Sequence, residues 1–110
     1  MPFQAIKSGK KKIETRTFVE EYKSPDYRQM KRGDLLTFEN NQTKERIIVE
    51  ILGVRHYSDV AEMFDAEGQD RCMSYDAPRD EAINSYNRLR GYTAGIKKNG
   101  IYAIELRLLE

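Results

Sequence analysis

The stretch that most constrains this 110-residue chain runs from Arg46 to Tyr57, where Ile47, Ile48, Val49, Ile51, Leu52 and Val54 put apolar side chains on both faces of an extended segment. A strand of that kind needs cover on both sides, so the pattern predicts a central strand, bent at Gly53. Lys12 to Val19 alternates with period two and predicts a first strand on which Glu14 and Arg16 share a side. Gly33-Asp34 turns the chain into Leu35 to Glu39, where Leu36 and Phe38 share a face, and Asn40-Asn41 is turn material. After the Asn99-Gly100 turn, Ile101 to Leu109 predicts a last apolar strand that closes the sheet against the first half of the chain.

Helices fit between these strands. Pro2, Phe3, Ile6 and Gly9 predict a short leading helix, and Ser58 is expected to cap another from Asp59 to Phe64. A third is expected from Pro78, carrying Ala82, Ile83, Tyr86 and Leu89 inward before Gly91 ends it. Glu20 to Arg32 has little periodicity and reads as a long excursion with Tyr22 and Tyr27 as anchors. Short strands with helices inserted between them indicate an α+β fold, and a small closed or half-open barrel best protects the strand edges.

Composition narrows the function classes. At 12.9 kDa the chain is expected to form one domain, 1–110, with one modest core. Cys72 is the lone cysteine, which excludes an internal disulfide or a cysteine zinc cluster and fits a reducing compartment, with the cytoplasm as the default. No apolar run approaches the ~18 residues of a membrane span, so no membrane association is expected, and no metal or other cofactor is called for. The net charge of +1 hides an uneven distribution. Lys7, Lys10, Lys11, Lys12 and Arg16 help make the first third basic, whereas the stretch from 59 to 81 is acidic. One surface is therefore a candidate for phosphate contact.

The run Gly9-Lys10-Lys11-Lys12-Ile13-Glu14-Thr15-Arg16, followed by Gly33-Asp34-Leu35-Leu36-Thr37-Phe38 and by Val49, Leu52, Arg55 and Tyr57 in order, resembles the ASCH domain family. Gly100 to Leu106 also looks like that family's closing strand. The resemblance implies a small PUA-like β-barrel with flanking short helices and a cleft beside the first strand. It implies binding of RNA or of a modified nucleoside or nucleotide. Lys11 and Arg16 are suited to phosphate or a base edge, and Glu14 to holding the Arg16 guanidinium or accepting a base amino group. Tyr57 is the candidate for stacking on a base. By spacing alone, Lys11, Glu14 and Arg16 would more often be a surface salt-bridge array.

The resemblance also implies a second reading, a small hydrolase acting on RNA or a modified nucleoside. Some relatives are N(4)-acetylcytidine amidohydrolases that use a lysine, a threonine three residues later and a distant glutamate, and a ribonuclease is a further form of the same reading. In an enzyme of either kind Lys11 and Glu14 would be the catalytic pair. Position 14, however, carries a carboxylate where the amidohydrolase scheme needs a hydroxyl nucleophile. Glu62, Glu67 and Glu81 all lie where the distant glutamate could be. His56 and Cys72 are expected to be structural.

Overall fold

The computed structural model describes residues 6–8, 12–17 and 29–109. Within them the strands β1 (Ile13–Arg16), β2 (Leu35–Glu39), β3 (Arg46–Tyr57) and β4 (Ile101–Leu108) form one antiparallel sheet in the order β1-β4-β3-β2. The helices α1 (Val60–Glu67), α2 (Gln69–Cys72), α3 (Arg79–Asn87) and α4 (Tyr92–Asn99) all come between β3 and β4. The result is an α+β half-barrel with its short helices on one side.

β3 is an interior strand, as its apolar content requires, with β4 on one side and β2 on the other. The bend expected at Gly53 is a register shift in the β3–β4 pairing between Ile51 and Gly53. Only one face of the first half of β3 is covered, however. Ile47, Val49 and Ile51 are buried while Ile48 is exposed, because the helices reach only the far half of the sheet.

Two apolar clusters lie on opposite faces of the sheet. On the helix side Ile13, Ile101 and Ala103 meet Val60, Met63, Phe64, Cys72, Ala82, Tyr86 and Tyr92. On the other, Ile47, Val49, Ile51, Ile104 and Leu106 pack with Ile6 and Phe38. Cys72, 1% exposed, is a core residue.

The helices depart from the pattern reading in specific ways. Asp59, not Ser58, caps α1 by accepting from the Glu62 backbone N–H, while the Ser58 hydroxyl donates to the Glu62 side chain. The helix continues past Phe64 to Glu67, which lets Met63, Phe64 and Glu67 all face inward. In α3, Ala82 and Tyr86 are buried, but Leu89 follows the helix end and is exposed. Gly91 begins the unanticipated α4 as well as closing the preceding turn, since its φ of 79° suits a residue without a Cβ. The leading helix is described only at residues 6 and 7, and Tyr22, Tyr27 and most of the 20–32 excursion lie outside the described residues. No helix among the described residues is long and apolar enough to cross a membrane.

Candidate functional site

β1 is an edge strand of the described sheet. The Leu106 N–H donates to the Lys12 carbonyl, so in an antiparallel ladder Glu14 and Arg16 direct their backbone groups to β4, and Thr15 turns its own outward. The outward N–H and C=O of Thr15 are then met by the flanking side chains. Glu14 Oε1 accepts from the Thr15 N–H at 3.0 Å, and Arg16 donates to the Thr15 carbonyl at 3.0 Å. The two side chains also bond each other, Arg16 to Glu14 Oε1, at 3.0 Å. Their spacing of two therefore gives the shared side and the ion pair that the sequence predicts, and it also seals the strand edge.

The burial of this pair is uneven. The Glu14 side chain is 0% exposed, whereas that of Arg16 is 28% exposed. The strand face is thus not an open surface array, and the guanidinium is the accessible end of a pair whose carboxylate is inside. On the opposite face Thr15 donates to the Tyr86 hydroxyl at 3.0 Å, and Thr17 donates to the Gly100 carbonyl at 2.7 Å. Burial pushes the Tyr86 phenol well above its usual range and raises that of Tyr92. Against the larger effect of burial on Tyr92, Arg16 lowers its phenol and Glu14 raises it. Thr15 and Thr17 thus tie β1 to α3 and to the start of β4 through buried hydrogen bonds.

Arg16 has aromatic company across the sheet. It is paired with Tyr102 on β4, and Tyr102 with His56 on β3. The His56 and Tyr102 rings lie 4.8 Å apart, and His56 Nε2 is 2.8 Å from the Asn99 carbonyl. His56 is exposed at this rim.

Tyr57 belongs to a different group. Its ring packs against the helix-side core and its hydroxyl donates to Glu67 Oε2. Arg55 donates from Nη2 to Glu67 Oε1 at 2.7 Å and to Glu105 Oε1 at 3.0 Å, and Arg71 reaches Glu105 Oε2 at 3.2 Å. The Arg55 guanidinium holds the Glu67 carboxyl below the usual carboxylate range against the opposing effect of burial. Burial, then the bond to Glu67, raises the Tyr57 phenol. Of the three glutamates that could have been the distant one, only Glu67 is buried, at 7% exposure; Glu62 and Glu81 are exposed. Sequence reasoning did not find this network, because Arg55, Glu67, Arg71 and Glu105 sit on four elements. The inward turn of α1 at Glu67 is the only local signal.

Lys11 lies outside the described residues. Among the described residues, no group of three or more His, Cys, Asp or Glu is placed to hold a metal ion.

The family model of the ASCH domain matches residues 1–110. The chain belongs to the ASCH domain family. Among solved structures, this ASCH chain is similar to the crystal structure of the hypothetical protein PH0355, at 32% identity and a TM-score of 0.77, covering 96% of this chain and 89% of the other. It is also similar to the solution NMR structure of protein PF0455 from Pyrococcus furiosus, at 33% identity and a TM-score of 0.74, covering 97% and 88% respectively. No curated protein matches it. The ASCH membership agrees with the PUA-like α+β fold expected from the paired motifs.

Proposed function

We propose that this ASCH domain binds RNA, or a modified nucleoside within it, in a cleft beside β1, with Arg16 and Lys11 as the recognising cations. The observation that carries the reading is the Glu14–Arg16 pair. A buried carboxylate fixes a guanidinium that is itself 28% exposed, which is an arrangement suited to a planar base edge or a phosphate. The stacking surface is better supplied by His56 against Tyr102, in the same cross-strand row as Arg16, than by Tyr57, whose ring and hydroxyl are both engaged. A cytoplasmic setting suits an RNA ligand and a single core cysteine.

Hydrolysis ranks below binding. The Glu14 carboxylate accepts from Thr15 and Arg16 and cannot act as a hydroxyl nucleophile, and Glu67 is held ionised by Arg55, which makes it a weak base. Incubation with free N(4)-acetylcytidine should therefore give little or no deacetylation. Efficient turnover that disappears in Glu14→Ala would overturn that ranking.

The binding test is fluorescence anisotropy with a short single-stranded RNA across a salt series. Arg16→Glu and Lys11→Glu should each weaken binding and flatten its salt dependence by about one phosphate contact, with the far-UV spectrum unchanged. Equal affinity of wild type and both variants at low salt would remove the case for this site.

A further inference from the structure

A concavity lies near the β-bulge, lined by Ile6, Lys12, Leu52, Arg71, Arg107 and neighbouring β4 residues. Its volume is about 460 Å³, within the range of about 300–1,000 Å³ common for small-molecule sites. The lining divides by chemistry. Ile6, Leu52, Leu106 and Leu108 are apolar, while Lys12, Arg71 and Arg107 bring three cations against a single carboxylate, Glu105. That carboxylate is already shared by Arg55 and Arg71.

The cations retain donor capacity. The Lys12 side chain is exposed, and its ammonium enters no ion pair among the described residues. Arg71 uses Nη2 toward Glu105, and Arg107 uses Nε and Nη2 toward Glu50, so each guanidinium keeps further N–H groups. The Lys12 ammonium, together with the spare donors of Arg71 and Arg107, whose charges are balanced by Glu105 and Glu50, stands beside an apolar wall and fits a ligand with an anionic phosphate head and a flat, largely apolar body. A phosphate monoester carries a charge of about −1.5 to −2 near neutrality and three acceptor oxygens, which matches two guanidinium forks and an ammonium better than a single carboxylate would.

We propose that this hollow is a mononucleotide site in which Lys12, Arg71 and Arg107 hold the phosphate monoester and Leu52, Leu106 and Leu108 take the base. The site is independent of the Glu14–Arg16 pair, which contributes nothing to its lining.

The test is a heteronuclear NMR titration of the full chain with adenosine 5′-monophosphate, with adenosine and inorganic phosphate as separate probes. The monophosphate should give saturable amide shifts at Lys12, Leu52, Arg71 and the 106–108 segment, and each partial probe should bind at least about tenfold more weakly. Lys12→Ala and Arg107→Ala, both at exposed positions, should each weaken the monophosphate by about tenfold with the rest of the spectrum preserved, and Arg16→Glu should leave it unchanged. Absence of saturable shifts at these residues, or equal affinity of wild type and both alanine variants, would overturn the site. Equal binding of inorganic phosphate and the monophosphate would overturn the role given to the apolar wall.

Discussion

At the scale of single residues, the decisive feature is that two glutamates, Glu14 and Glu67, are buried, and each has an arginine that reaches solvent. A buried carboxylate is tolerated only where charge and hydrogen bonds replace its water, and removing the partner leaves the charge uncompensated. Arg55→Ala should therefore destabilise the fold by about 1–3 kcal/mol, reduced from the value for a fully buried pair because Arg55 is 38% exposed. Urea melts at neutral pH would measure it. The depressed Glu67 carboxyl also gives a signed pH dependence. Its contribution is fully present above the unfolded carboxylate range, about pH 4.3, and is lost as pH falls through the lower folded value. The stability gap between wild type and Glu67→Gln should thus narrow on acidification from pH 7 toward pH 3. A gap that stays constant over that interval would show that Glu67 is not held ionised by Arg55.

At the scale of elements, junctions matter more than strand interiors. Gly100 joins α4 to β4 with φ of 75°, and a Cβ there would lie 2.3 Å from His56 Nε2 and 2.4 Å from the Tyr57 carbonyl. The carbonyl belongs to β3 and cannot swing aside as a side-chain tip could. Gly33 has φ of 95° but open space around it. Gly100→Ala should consequently cost at least about 2 kcal/mol more than Gly33→Ala, which carries only the backbone penalty of about 1–2 kcal/mol. Comparison of the two variants by thermal and urea unfolding checks this, and equal losses would mean that β3 gives way. The edge of β1 makes the same point about junctions, since Glu14 and Arg16 close backbone groups that would otherwise invite another strand.

For the whole molecule, β3 and β4 contribute to the core on both sheet faces, so neither cluster can melt while the other stays intact. Ile101 and Ala103 lie in one cluster and Ile104 and Leu106 in the other, all on β4. Met63→Ala and Ile51→Ala, on opposite faces, should each cost about 2–5 kcal/mol, and each should keep a single unfolding transition seen alike by tyrosine fluorescence and far-UV circular dichroism. Two separated transitions in either variant would show that the faces fold independently.

The backbone framework was determined by the sequence itself, because its signals are local. Apolar density makes β3 interior, period two puts Leu36 and Phe38 on one face and Glu14 beside Arg16, Gly53 marks the bulge, and the paired Gly-Lys-Glu-Arg and Gly-Asp-Phe motifs carry the family. Only the tertiary structure decided what depends on residues far apart in the chain. Alternation could place Glu14 on a side but could not tell that the side is buried, because burial depends on residues distant in the chain, as in the pairing of Glu14 with Ile104 on β4. Nor could it choose Glu67 among three glutamates, find α4 behind Gly91, or bring Lys12, Arg71 and Arg107 around one hollow. Charge and burial at those points are set by packing between elements, and no window of local sequence holds that information.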